Sequence, residues 1–110
     1  MEQEEETLRL YKCLADRSRL RILSNLLTAP MYVELLAQRL DLSAGTVSFH
    51  LKKLEEAGLV RLGKEQYYTV AEVCRESLEH TILSTITPTQ TQQDEEAQRE
   101  AAYRQKVLNN

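Results

Sequence analysis

The stretch VELLAQRLDLSAGTVSFHLKKLEEAGLV, residues 33–60, decides the fold of this 110-residue chain. Apolar residues recur three and four positions apart in two runs, which predicts amphipathic helices over residues 33–40 and 43–57. A polar turn over residues 41–43 separates them, and Ser43 is placed to cap the second helix. Gly58 follows where glycine commonly ends a helix in the left-handed conformation. Two short helices joined in this way are typical of a helix-turn-helix.

Helical and extended patterns flank this pair. Residues 7–15 form a predicted first helix after an acidic lead-in, and Asp16 and Ser18 are candidate caps for a second helix whose apolar side runs from Leu20 to Leu27. Residues 59–62 and 66–70 are predicted strands joined by a tight turn over 63–65, and a fifth helix begins near residue 71 and continues past His80. Its predicted apolar stripe is Val70, Val73, Cys74, Leu78, Ile82, Leu83 and Ile86. The expected fold class is therefore mainly α with a small β-hairpin, a winged helix-turn-helix in the order α-α-α-α-β-β-α.

A change in composition after residue 86 predicts the domain organisation. Residues 1–86 are expected to form the winged helix-turn-helix domain. Residues 87–94, which contain no large apolar side chain, are expected to be a linker. Residues 95–110 have a weak helical pattern without a stop signal, which predicts the start of a truncated second domain of a longer protein.

Several function classes are disfavoured by composition. No apolar run approaches the ~18 residues of a membrane span, and the acidic N-terminus lacks the apolar core of a signal peptide. The two cysteines, Cys13 and Cys74, do not make a disulfide framework, so a cytoplasmic location is expected. There is no glycine-rich phosphate loop and no nucleophile elbow, and the only two histidines lie in unrelated contexts. We therefore expect no enzyme activity and no cofactor.

The charge distribution is compatible with a nucleic-acid partner, although the net charge is −3. Residues 7–70 contain ten Lys and Arg against six Asp and Glu, a local charge of +4, so the remaining residues carry −7. An acidic periphery around a basic middle is consistent with a DNA footprint. Dispersed lysines and arginines on a solvated surface would give the same count.

The second helix of the pair divides into two faces at 100° per residue. Val47, Leu51 and Leu54 fall on the side expected to face the core. His50 borders that side, and we expect it to be a packed, hydrogen-bonded histidine. The opposite face and the hairpin provide the predicted DNA contacts, which are Ser43, Ala44, Gly45, Thr46, Ser48, Phe49, Lys52, Lys53, Arg61 and Lys64.

Each of these contacts has a chemical rationale. Hydroxyl groups of Thr46 and Ser48 can hydrogen-bond to base edges or phosphates, and the helix N-terminus attracts phosphate. Lys52 suits the DNA backbone, where each contact is salt-sensitive. Phe49 is unusual on such a face, since it could contact a thymine methyl group or pack against a neighbouring subunit or domain. Both interpretations remain open at this point.

Three segments together carry a family resemblance: YKCLADRSRLRIL over residues 11–23, the block that ends in LKKLEEAGLV, and QYYTV at the end of the hairpin. They resemble the ArsR/SmtB-type winged-helix transcriptional repressors over about residues 7–85. The LADRSRLRIL segment is fairly specific, because generic helix-turn-helix proteins lack it. The resemblance implies a homodimer that binds double-stranded operator DNA and is released by an inducer. It also implies an interface between the first and last helices, for which the candidates are Leu8, Tyr11, Leu14, Val73, Leu78 and Ile82.

The chain departs from that family's metal sites. Many members bind metals through a Cys-x-Cys pair at positions that match Tyr32 and Glu34 here, so that thiolate site is missing. On the last helix the spacing of possible ligands also differs from the family's; these residues are Glu72, Cys74, Glu76, Glu79 and His80. We therefore predict no metal site. The alternative is thiol or metal sensing by Cys13 and Cys74 across an interface, with His80 nearby.

A second departure concerns the contact residues themselves. Relatives have larger, polar residues at the positions of Ala44 and Gly45, which shifts base readout toward Thr46, Ser48 and the hairpin. The predicted function is sequence-specific DNA binding by a dimeric transcriptional repressor. The alternative is a winged-helix protein-interaction module, which the absence of binding to random DNA at low salt would favour.

Overall fold

The computed structural model describes residues 2–83, 85 and 86. Within them five α-helices and one hairpin follow the predicted order, with a single π-helical turn after the last helix. The elements are α1 Glu2–Leu14, α2 Arg17–Leu26, α3 Val33–Leu40, α4 Ala44–Glu56, β1 Val60–Leu62, β2 Tyr68–Val70, α5 Glu72–Leu78 and the π turn Glu79–Leu83. The winged helix-turn-helix fold class is confirmed. The expected linker over 87–94 and helical segment over 95–110 lie outside the described residues.

Side-chain caps set the starts of α2 and α4. The Asp16 carboxylate accepts a hydrogen bond from the Arg19 amide at 3.0 Å, whereas Ser18, the other candidate cap, lies inside α2. The Ser43 hydroxyl accepts from the Thr46 amide at 3.1 Å. Such caps satisfy first-turn amides that have no intrahelical acceptor. Both predicted helix starts are therefore confirmed, with Asp16 as the cap of α2.

A Schellman motif ends α4. The Gly58 amide donates to the Glu55 carbonyl at 2.9 Å, and the Leu59 amide donates to the Leu54 carbonyl at 3.0 Å. Gly58 takes φ +76°, in the left-handed region that glycine enters without a Cβ penalty. The predicted role of Gly58 is confirmed, and the chain enters β1 two residues later.

The core lies between α2, α3 and α4 and is closed by the hairpin and α5. Val47, Leu51 and Leu54 of α4 are fully buried, as the periodicity predicts. Ile22, Leu23 and Leu26 of α2, together with Leu36 of α3, are also fully buried and complete the centre of this core. Burial of each such side chain stabilises the fold by about 1.5–3 kcal/mol, so the rotation of α4 about its axis is strongly determined.

The hairpin turn is displaced by one residue from its predicted position. The Gly63 amide donates to the Tyr67 carbonyl at 2.8 Å, so the loop consists of residues 64–66 rather than 63–65. Three-residue hairpin loops place their last residue in the left-handed conformation. Gln66 takes that place with φ +67°. Glycine usually provides this conformation, and here a glutamine adopts it.

The first helix begins earlier than predicted. α1 starts at Glu2, so the acidic lead-in is helical. Glutamate and glutamine are good helix formers, and acids in the first turn interact favourably with the positive end of the helix dipole. The Thr7 hydroxyl also donates to the Gln3 carbonyl at 2.9 Å, one turn earlier in the helix.

The last helix differs from its predicted stripe at Val73, which is 96% exposed. Arg75 donates to the Leu27 carbonyl at 3.2 Å and lies near Glu72 and Glu79, at 3.7 and 3.4 Å. This contact holds the Arg75 side of α5 against the end of α2, and Val73, about 200° away around the helix, therefore points outward. Leu83 is also partly exposed. No helix among the described residues is long and apolar enough to cross a membrane.

Two glycine-to-alanine substitutions should have opposite effects on stability. Gly58→Ala forces a Cβ into a left-handed position and should lower the free energy of unfolding by about 1–2 kcal/mol. Gly45→Ala, the matched control in the first turn of α4, meets no atom within 4 Å and should raise it by about 0.5–1 kcal/mol. Urea unfolding followed by circular dichroism measures both. A loss of stability in both variants would contradict the assigned backbone geometry.

Candidate nucleic-acid interface

The outward face of α4 collects most of the predicted DNA contacts. Burial of Val47, Leu51 and Leu54 turns the opposite side of the helix to solvent. All ten predicted contact residues are exposed, eight of them at or on α4 and two, Arg61 and Lys64, in and after β1. The structure thus brings the predicted side chains to one helix and the hairpin that follows it.

The N-terminus of α4 combines hydroxyl groups with small side chains. Ser43 and Thr46 are joined by a second hydrogen bond, from the Ser43 hydroxyl to the Thr46 hydroxyl at 2.9 Å. Ala44 and Gly45 lie between them and are exposed. Helix geometry leaves the first amides without an intrahelical acceptor, and Ser43 takes only that of Thr46. The amides of Ala44 and Gly45 are therefore suited to an incoming anion.

Phe49 is 54% exposed in the middle of this face. Lys53 Nζ lies 5.6 Å from the centroid of its ring, and the His50 ring meets it edge-on at 5.5 Å. Lys53 also approaches Glu56 at 4.0 Å, with both side chains about half exposed. The cation–π contact orients Lys53 and Phe49 together, so that an apolar surface and a positive charge are presented side by side.

Arg19 of α2 connects α4 to α1, a role that the sequence alone did not indicate. Its Nε donates to His50 Nδ1 at 3.2 Å, and its Nη1 donates to the Cys13 carbonyl at 3.2 Å. His50 is therefore hydrogen-bonded and half-buried, as predicted. The Cys13 thiol in turn donates to the Lys53 carbonyl at 3.7 Å. These contacts fix the inner side of α4 against the end of α1.

The hairpin is attached to the start of α3. Met31 and Tyr68 exchange backbone hydrogen bonds of 3.1 and 2.9 Å, so Met31 adds a short third strand segment to the hairpin. The rings of Tyr32 and Tyr67 stack beside it with centroids 3.8 Å apart and an interplanar angle of 26°. We call Tyr32 and Tyr67 the tyrosine pair. It holds the loop end of the hairpin, and hence Lys64 and the strand that carries Arg61, in a defined position relative to the start of α3.

A side-chain hydrogen bond within the tyrosine pair raises the pKa of Tyr32 above its ordinary value near 10. Partial burial and the nearby carboxylates of Glu65 and Glu34 act in the same direction. The fold therefore favours the neutral phenol. This contribution to stability is fully present at neutral pH and is lost as pH rises through the raised pKa of Tyr32.

The candidate interface residues divide into two groups. Leu8 and Tyr11 on α1 are 51% and 66% exposed, and Val73 on α5 is almost fully exposed. Leu14 is partly buried against the core. Leu78 and Ile82 are buried within the single chain, so they support α5 from inside and offer little surface to a partner.

The two cysteines have different surroundings. Cys13 is buried, and Cys74 is partly buried with its thiol donating to the Ala71 carbonyl at 3.2 Å. Burial raises the pKa of Cys74, which disfavours its thiolate. Within the described part of the chain, no three His, Cys, Asp or Glu side chains come together as a potential metal site.

The first comparison with known proteins concerns the helix-turn-helix itself. A family model described as a helix-turn-helix domain matches residues 14–63, from the end of α1 to the hairpin. No curated protein sequence matches the chain significantly.

Solved structures are similar over most of the chain. Reduced HlyU from Vibrio cholerae is 30% identical, with 78% of this chain and 95% of HlyU covered and a TM-score of 0.67. The homodimeric winged helix-turn-helix DNA-binding domain of Mb0332 from Mycobacterium bovis, a possible ArsR-family transcriptional regulator, is 30% identical, with 74% and 79% covered and a TM-score of 0.65. CmtR from Mycobacterium tuberculosis, a cadmium metal sensor, is 32% identical, with 77% and 92% covered and a TM-score of 0.58.

The tyrosine pair predicts a measurable titration. In spectra of the protein carrying ¹³Cζ-labelled tyrosine, Tyr32 should ionise above the ordinary value near 10. In Tyr67→Phe, which keeps the ring stack but removes the hydroxyl, its pKa should fall toward that value. Tyr11→Phe, a change on the exposed face of α1, is the control and should leave the Tyr32 signal unchanged. An unchanged Tyr32 pKa in Tyr67→Phe would exclude the hydrogen bond.

Proposed function

This chain belongs to the ArsR/SmtB family of winged helix-turn-helix transcriptional regulators, and we propose that it is a homodimeric repressor that binds operator DNA through α4. The observation that carries the proposal is the exposed face of α4, which combines hydroxyl groups, an aromatic ring and lysines beside a basic hairpin. A dimer bound across a promoter would block access of the transcription machinery. The protein would act in the cytoplasm, by binding rather than by catalysis.

The N-terminal end of α4 would enter the major groove. Thr46 and Ser48 carry hydroxyl groups that can donate to or accept from base edges. Phe49, which is 54% exposed, would offer its ring to a thymine methyl group; the alternative is that it packs against a neighbouring subunit or domain. These three side chains would therefore carry most of the sequence preference.

The remaining contacts would hold the DNA backbone. The free amides at the start of α4 can bind a phosphate because the positive end of the helix dipole lies there. Lys52 and Lys53 extend from the same helix, and Arg61 and Lys64 extend from the hairpin. Such contacts give affinity and position the helix but carry no direct base readout.

A second copy of the chain is the expected partner for α1 and α5. Leu8, Tyr11 and Val73 are exposed apolar side chains with no DNA role in this scheme. A two-fold axis would present two α4 helices to successive major grooves, about 34 Å apart. The DNA-binding domain of Mb0332, which is homodimeric, supports a two-fold assembly.

Two substitutions on α4 should separate affinity from specificity. Lys52→Ala should weaken binding to operator and random duplexes alike, by several-fold at ~50 mM salt, and should reduce the salt slope by about one ion. Ser48→Ala should weaken operator binding by about 0.5–1.5 kcal/mol, the net contribution of one hydrogen bond, and leave random DNA nearly unaffected. Fluorescence anisotropy at ~50 and ~200 mM salt measures both.

The matched control for charge is Lys12→Ala, which removes an exposed lysine from α1 and should leave DNA affinity unchanged. Equal losses on operator and random DNA for Ser48→Ala would remove Ser48 from the readout residues. A wild-type protein that binds no DNA at ~50 mM salt would instead support the protein-interaction alternative.

The dimer interface is tested by charge. Leu8→Asp and Val73→Asp each bury a carboxylate without a partner on dimerisation and should weaken the dimer by more than about tenfold, about 1.4 kcal/mol. Sedimentation velocity at micromolar protein gives the oligomeric state. Leu62→Asp, a similar change at an exposed apolar residue of the hairpin, should leave the dimer intact. A dimer unaffected by both interface variants would place the interface elsewhere.

A further inference from the structure

A cavity of about 720 Å³ opens between the start of α2, the end of α3 and the residues after the π turn. Its lining includes Arg17 and Arg21 of α2 and Arg39 of α3, and we call it the arginine cavity. Small-molecule sites usually have volumes of about 300–1,000 Å³. The arginine cavity therefore has the size of a ligand site, and it lies apart from the residues assigned to DNA.

The α2 side of the cavity carries an unfavourable concentration of positive charge. Arg17 and Arg21 are four residues apart, so their side chains are neighbours on one helix face. Both are exposed, and neither guanidinium forms an ion pair with any described residue. Arg17 lies in the first turn of α2, where the helix dipole favours negative charge, and the Asp16 carboxylate at the N-cap already accepts the Arg19 amide. A bound anion would relieve both of these repulsions.

The α3 side of the cavity is held in place. Arg39 Nη1 donates to the Asn25 amide oxygen at 3.4 Å, and Asn25 is itself fully buried and donates to the Arg21 carbonyl at 2.8 Å. Two carboxylates, Asp16 and Asp41, also line the cavity. Three arginines against two aspartates leave one net positive charge, which suits a single negative charge better than a polyanion.

The rest of the lining is apolar. Leu20, Leu40 and Ile86 contribute side chains that pack partly against the core. A ligand must therefore present hydrocarbon to these residues and an anionic group to the arginines. Guanidinium groups bind carboxylates in a planar, two-point arrangement that an ammonium group does not match.

We propose that the arginine cavity binds a small organic monocarboxylate, with the carboxylate on Arg17 and Arg21 and the hydrocarbon part against Leu20 and Leu40. We infer a second role, which rests on the proposed function: the ligand would act as an effector of DNA binding. Asp41, which lines the cavity, ends α3 in the left-handed conformation at φ +55°, and Ser43 caps α4 two residues later. A change at the end of α3 is thereby passed directly to the DNA-contacting end of α4.

Benzoate is a suitable probe, with benzamide as its neutral counterpart. Titration of the full ¹⁵N-labelled chain with benzoate should give saturable shifts in the amide signals of residues 16–21 and 39–41. Benzamide should not reproduce them. In R17Q/R21Q, whose replaced side chains are exposed and whose fold should be retained, benzoate affinity should fall by about tenfold. Arg9→Gln, on the exposed side of α1, is the matched control and should bind benzoate normally.

Other outcomes would overturn the proposal. Non-saturable shifts, or equal benzoate affinity in R17Q/R21Q, would exclude the site. Inorganic phosphate that binds as well as benzoate, together with weaker random-DNA binding by R17Q/R21Q, would make these arginines a DNA-backbone contact instead.

The effector role has its own measurement, operator affinity with and without saturating benzoate. We expect a shift of several-fold in the wild type and none in R17Q/R21Q. An unchanged affinity would exclude coupling while leaving the binding site intact. Failure of the wild type to bind DNA at all would overturn the proposed function without affecting the benzoate titration.

Discussion

The burial of one side of α4 is the constraint on which the rest of the site depends. Val47, Leu51 and Leu54 are fully buried, and exposing even one of them would cost about 1.5–3 kcal/mol. A rotation of α4 that exchanged its faces would therefore cost a large part of the stability of a small domain. The hydrogen bond from Arg19 to His50 reinforces this orientation from the edge of the buried side. The same buried contacts therefore turn the outward residues of α4 to solvent.

The sequence predicts those elements whose determinants are local. Periodicity and caps identify α2, α3, α4 and the Schellman end at Gly58, because each signal lies within a few residues of the structure it determines. The hairpin turn lies one residue later than predicted, because Gln66 takes the left-handed conformation that glycine usually provides. The outward position of Val73 follows from the contact of Arg75 with α2, 48 residues away in sequence, which periodicity within α5 does not report.

The candidate DNA-binding face was predictable from the sequence to about the same degree as the fold. The outward residues of α4 follow from its apolar stripe, so the predicted contacts are all exposed. The tyrosine pair joins residues on either side of the helix-turn-helix, and the arginine cavity joins two helices and residues 85 and 86. Neither pairing has a local signature. The arginines of α2 stand out in the sequence only as a basic cluster, and packing is needed to show that they line a cavity.

The small residues at the start of α4 change how the helix would meet DNA. Ala44 and Gly45 make no side-chain hydrogen bonds, and their contribution is the open space that they leave beside the helix backbone. Without bulk at these positions a phosphate or base edge can approach the backbone amides, which the helix itself leaves without acceptors. Binding energy would then come less from side chains and more from the backbone amides and the helix dipole. These contacts do not depend on the DNA sequence. In the proposed mode of binding, specificity would be concentrated in Thr46, Ser48 and Phe49. The hairpin, positioned by the tyrosine pair, would then add a rigid second contact that can respond to DNA shape.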